Sequence, residues 1–171
     1  MKRCASGVTS LFGRGSALWR RCERIASGVD LPDPFDEAGF LAGLAERRGR
    51  PIELVALAAW SGAQCGLVVA TDRADYVFVT ADTSPLHQRH IVLHEAGHLL
   101  CGHTGGGALP DAVAASLTPN LSVELVRRVL GRTTYDRGQE REAELVASLI
   151  MRRVDAGADA PPDRLRSAFG S

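Results

Sequence analysis

Lysine is all but missing from this chain. Of 20 basic residues only Lys2 is a lysine, and 20 acidic residues bring the net charge to zero. That balance removes any global electrostatic argument for a nucleic-acid or membrane partner. Cysteine is sparse. Cys4, Cys22, Cys65 and Cys101 form no C-x-x-C pair, so they describe neither a disulfide scaffold nor a thiol redox motif, and free thiols are expected. Long apolar runs are missing as well: no segment reaches the ~18 residues needed to span a bilayer. No extended apolar stretch follows the first basic residues, so a secretory signal is not expected. No internal repeat is visible. The expectation is a cytoplasmic protein.

What remains suits one domain: 171 residues, 45% of them hydrophobic. Charge is uneven along it. Residues 1–29 carry Lys2, Arg3, Arg14, Arg20, Arg21 and Arg24 against Glu23 alone. The segment "GSALWRRCERIASG" can form a basic amphipathic helix with Leu18, Cys22 and Ile25 on one side, but a weakly ordered, solvated leader is the expectation. The prolines of "LPDPFD" then mark a linker. The domain reading is therefore a basic leader and linker over 1–35, a globular domain over 36–155 and a frayed tail over 156–171.

Within the domain, Asp36 is an N-cap candidate for a helix over 37–48 closed by Gly49. Short β-branched and aromatic runs at 51–57, 66–71 and 75–81 predict three strands, the last two joined by a hairpin turn at "DRAD". Ser84 and Pro85 start a helix that Gly102 stops. A loop over 104–119 and a helix over 122–131 follow. Asp136 with Gln139 reads as a capping box opening a helix to about Val154.

The chemistry is concentrated in "IVLHEAGHLLCGH", residues 91–103, which holds three of the five histidines. On a helix, residues four apart lie within about 40° of each other. His94 and His98 can therefore aim one ring nitrogen each at a single point, which is the geometry of two zinc ligands. Glu95 sits about a quarter turn away, off the ligand row but within reach of a water on the metal. Zinc lowers the pKa of such a water to ~7. Glu95 can take its proton as the water attacks a peptide carbonyl, then return it to the leaving nitrogen. Gly97, unfavourable in mid-helix, suggests close approach by another segment or by substrate.

A third ligand must come from elsewhere. The extended zincin pattern wants histidine at 104, and that position is threonine. The best source is "EREAE", residues 140–144. Glu140 and Glu144 share a face, so one can bind metal while the other holds a histidine's second nitrogen. Glu142 is expected to face solvent. An ordinary acidic helix start explains the same cluster, and spacing does not decide between the two readings. Cys101, near the histidines, is expected to be a small buried hydrophobe. His87 and His90 fall on the ligand face, and a solvent or turn role is expected for them. His103 and Tyr135 are candidates to donate to a developing oxyanion.

The pairing of "HIVLHEAGHLLCGH" with "EREAELVASLIM" some forty residues later resembles the ImmA/IrrE family of metallo-endopeptidases. "ATDRADYVF" and "DTSPLHQRHIVLHE" are similar to segments of its small actinobacterial members. The resemblance covers roughly residues 36–154. It implies His94, His98 and Glu140 as ligands of Zn2+ in a gluzincin-like site, with Glu95 as the base. Two positions depart from the family pattern: Glu144 replaces Asn or Asp, and Arg152 replaces a common proline.

The expected fold is α+β and zincin-like, a small three-stranded sheet packed on helices carrying the two motifs. The expected function is a zinc-dependent endopeptidase. By the resemblance it would act on a regulatory protein such as an Xre-type helix-turn-helix repressor, with no direct contact to nucleic acid. Two alternatives are processing of a peptide precursor and a non-catalytic partner protein that the metal merely staples.

Overall fold

In a computed structural model, residues 16–57, 66–70, 73–103 and 135–158 are described. They form four helices and one three-stranded sheet: α1 (Ala17–Ser27), α2 (Glu37–Arg48), β1 (Ile52–Leu57), β2 (Gly66–Ala70), β3 (Asp75–Thr80), α3 (Pro85–Cys101) and α4 (Arg137–Ala158). The class is α+β. No helix among the described residues is long and apolar enough to cross a membrane.

Local chemistry sets most of these boundaries. The Asp36 carboxylate accepts from the Gly39 N–H at 2.7 Å, satisfying a donor that the first turn of α2 leaves without a partner. Gly49 ends α2 in the left-handed region at φ 62°, where an L side chain is strained. Ser84 accepts from the His87 N–H, and Pro85 begins α3. Asp136 and Gln139 close a reciprocal capping box at the start of α4, with bonds of 3.0 and 2.9 Å. That helix runs four residues past Val154.

The sheet order is β1-β3-β2. β3 is central, parallel to β1 and antiparallel to β2. Its position explains its composition: Val77, Phe78 and Val79 are all fully buried, so both faces of the strand are apolar. α3 lies on β2 and β3 and also packs along α4. Asp75, at the start of β3, is almost fully buried. It accepts from Arg50 Nε at 2.8 Å and Arg48 Nη2 at 3.0 Å, and Arg48 also donates to the Leu99 carbonyl at 2.9 Å. This knot ties the end of α2, the start of β3 and the end of α3 together.

The reading of the basic leader as weakly ordered and solvated needs correction from residue 16 onward. α1 packs on α4 and belongs to the core, with Trp19, Cys22 and Ala26 buried and Leu18 and Ile25 packed against the same cluster. The guanidinium of Arg153 reaches back to the carbonyls of Ala26 and Val29. The basic residues hid this because they occupy the outer face of a helix whose apolar face is narrow. The frayed-tail reading also gives way at 156–158, which complete α4. The first fifteen residues, the loop at 104–119, the helix at 122–131 and the tail from 159 lie outside the described residues.

Candidate metal centre

α3 and α4 meet face to face, and the donors meet between them. His94 Nε2 is 3.2 Å from His98 Nε2 and 3.3 Å from Glu140 Oε2. His98 Nε2 is 3.9 Å from the same Glu140 oxygen. Ligand bonds of ~2.0–2.1 Å at tetrahedral angles place neighbouring donors about 3.3 Å apart. The triangle matches that spacing on two edges and is slightly open on the third. His94, His98 and Glu140 together could hold a metal ion.

Proton bookkeeping sharpens the fit. A carboxylate only accepts. Glu144 Oε2 lies 3.2 Å from His94 Nδ1 and 3.2 Å from His90 Nε2, so both rings donate to it. A neutral His94 then carries its lone pair on Nε2, aimed at His98 and Glu140. Lone pairs converging in this way repel one another, and a cation among them removes the conflict. Burial works against ionised Glu144, but the hydrogen bonds from His90 and His94 outweigh it and bring its carboxyl down to about 2. For His94 burial opposes the charged form, yet the Glu144 bond and the charges of Glu95, Glu140 and Glu144 raise its pKa overall. For His98 burial acts first and the charges of His94 and His103 add to it, lowering the ring to about 3 and keeping it neutral.

Glu95 is buried beside this triangle. Its carboxyl is pushed up to about 7, mainly by burial and further by the charge of Glu140, while His94 and the Val68 backbone N–H pull the other way. It fits only because β2 begins with glycine. A Cβ on Gly66 would stand 2.6 Å from Glu95 Oε1 and 2.5 Å from Ile91 Cγ2. Gly97 likewise makes room for a neighbour, since a Cβ there would lie 2.7 Å from the Ala143 carbonyl oxygen. The close approach suggested by a mid-helix glycine is that of α4.

The remaining sequence candidates sort by position. The Tyr135 ring stacks on His98, with centroids 3.5 Å apart and planes 15° apart. Burial raises its phenol, and the nearby Glu95 and Glu140 charges raise it further, so it stays a donor. His90 belongs to the cluster through Glu144 rather than to a turn or to solvent alone. His103, the other oxyanion candidate, has both ring nitrogens engaged: Nδ1 is 3.0 Å from His98 Nδ1 and Nε2 is 3.0 Å from Glu142 Oε2. Glu142, expected in solvent, is 8% exposed and faces Arg21 and His103. Three acidic side chains start α4 at alternate positions, and one of them must turn inward toward α1, which periodicity on α4 alone does not disclose. Cys101 is half-buried, and its thiol, His103 and Glu142 form a second group with donors within 4.8 Å of one another.

One signal for His103 was present in the sequence. Its N–H bonds to the His98 carbonyl at 3.0 Å, and Gly102 N–H bonds to Leu99 at 3.2 Å. This is a Schellman turn, which folds the residue after the glycine back over the one five positions earlier. "HLLCGH" therefore encodes a His98–His103 contact.

No protein-family model matches the chain, and no curated protein matches it either.

Proposed function

We propose that this chain is a zinc-dependent endopeptidase with a zincin-like domain, acting in the cytoplasm. The reading rests on one observation: the convergence of His94 Nε2, His98 Nε2 and Glu140 Oε2, with the buried carboxyl of Glu95 at its side. Two imidazoles and a carboxylate are a donor set suited to zinc. Zinc bound there would supply a Lewis acid and a water acidified to ~7. The protein's own groups do the rest. Glu95, balanced near neutrality, can take a proton from water as the carboxylate and return it to a leaving amine as the acid. Glu144 holds the His94 ring in the tautomer that offers Nε2. Tyr135 keeps a phenolic hydrogen available beside the centre.

A purely structural staple has no use for Glu95. Burying a carboxyl at 6% exposure is costly, and α3 and α4 are already locked together at Gly97. The motif resemblance makes the substrate a peptide bond of a regulatory protein, with a helix-turn-helix repressor of the Xre type the first choice. Metal analysis of the purified chain, with cleavage assays on repressors and peptide precursors, tests the reading. The expected result is one zinc per chain and cleavage that Glu95→Gln abolishes while zinc stays bound. A Glu95→Gln variant of undiminished function would establish the staple instead.

A further inference from the structure

Behind His98 runs a line of three side chains that the catalytic reading does not use. Arg21 Nε stands 3.0 Å from Glu142 Oε1. The contact is ionic rather than an aligned hydrogen bond, for Oε1 has no hydrogen-bond partner among the described residues. Glu142 Oε2 is 3.0 Å from His103 Nε2, and His103 Nδ1 is 3.0 Å from His98 Nδ1. The line is buried along most of its length: the side chains of Glu142, His103 and His98 are 10%, 6% and 1% exposed.

The polarity of this line follows from its acidic end. A carboxylate accepts only, so His103 Nε2 carries the hydrogen and donates to Glu142. A neutral His103 then has its lone pair on Nδ1 and can only accept there. His98 must donate from Nδ1, and its own lone pair falls on Nε2, the atom facing His94 and Glu140. Reversing the line would put a hydrogen on His98 Nε2, aimed into the donor triangle.

We propose that Arg21, Glu142 and His103 form a positioning chain that locks His98 in the Nδ1–H tautomer and so presents its Nε2 lone pair to the metal. The proposal rests on the metal-centre reading above. His94 has its orienting carboxylate directly in Glu144. His98 lies deeper, and an imidazole delivered by the Schellman turn bridges it to a carboxylate on α4. The chain's last member belongs to α1, so this basic helix reaches the centre through Glu142 and His103. The alternative is that Cys101, His103 and Glu142 hold a second ion. Arg21 argues against it, since its charge already faces Glu142.

The test is the tautomer of each ring, read from long-range 1H–15N correlations in labelled protein, with zinc affinity measured by chelator competition. Metal-free wild type is expected to show His98 as Nδ1–H. His103→Leu is expected to lose that preference and to bind zinc about 10- to 100-fold more weakly. His103→Gln, whose amide can accept from His98 and donate to Glu142, is expected to retain both. An Nε2–H His98 in wild type would overturn the proposal with no variant required. Zinc binding unchanged in His103→Leu, or a second tightly bound zinc lost in His103→Gln, would overturn it while leaving the metal centre standing. Wild type that binds no zinc would remove the metal reading itself and the proposal with it.

Discussion

Gly97 of α3 presses against Ala143 of α4, and a side chain on Gly97 would begin 2.7 Å from the Ala143 carbonyl oxygen and 3.1 Å from its Cα. The four site residues are placed symmetrically about this contact. His94 and His98 lie three before and one after Gly97; Glu140 and Glu144 lie three before and one after Ala143. The point of closest approach thus sets the register in which ligand meets ligand.

Gly97→Ala should therefore destabilise the protein although alanine is the better helix former by ~1 kcal/mol. Overpacking against rigid backbone is expected to cost a net 1–3 kcal/mol, roughly the range for inserted methyl groups in close-packed interiors. Urea unfolding would measure it. The same variant should bind zinc more weakly, since the helices must part. A Gly97→Ala protein as stable as wild type would show that the two backbones can separate at little cost.

Glu95 should make metal-free protein less stable as pH rises. Its folded pKa of about 7 lies above the ordinary 4.5, so the folded state favours the protonated form. The favourable contribution is whole below pH 4.5 and is lost as pH climbs through 7. Glu95→Gln should match wild type near pH 4.5 and exceed it above pH 7, by on the order of 3 kcal/mol. Thermal melts in chelator across that window decide it, and a pH-independent difference would refute the buried-acid account.

Zinc affinity should rise with pH through the range in which His94 titrates. Its pKa is raised by its carboxylate neighbours, so protons compete with metal to a higher pH than for a free imidazole. Calorimetry in buffers of differing ionisation enthalpy should detect proton release on binding, and the release should shrink as pH rises.

Glu144→Ala should weaken zinc binding by about 10- to 100-fold, because His94 loses the acceptor that holds its ring. Glu144→Gln should retain much of the affinity, since an amide oxygen can still accept from Nδ1. Equal affinity for all three proteins would make Glu144 a bystander.

Asp75→Ala should cost about 1–3 kcal/mol, the range for losing hydrogen bonds to charged groups, because the two arginines left behind keep partial access to water. It removes the carboxylate from Arg48 and Arg50, which keep the carbonyls of Leu99 and Ala74 as acceptors. The remaining folded protein should still bind zinc, since Arg48, Arg50 and Asp75 supply no donor to the triangle. Denaturation and metal titration together separate the two effects.

The helices and strands were largely legible in the sequence. Asp36, Ser84, Gly49, Gly102 and the Asp136–Gln139 pair are local devices whose chemistry acts within a few residues, so their spacing alone reveals them. The α1 packing was not legible. Its burial depends on Trp19 and Cys22 finding α4 more than a hundred residues away, and no local pattern records that encounter. The central place of β3 escaped for the same reason: strand order is a matter of long-range pairing.

The candidate site divides along the same line. The helix repeat by itself determined that His94 and His98 point one way and that Glu140 and Glu144 share a face, because rotation per residue is a property of the backbone. Only the tertiary structure decided how α4 is turned about its own axis. That rotation, set by the backbone contact at Gly97, turns Glu140 toward the histidine nitrogens, gives Glu144 to His90 and His94, and buries Glu142 against Arg21 and His103.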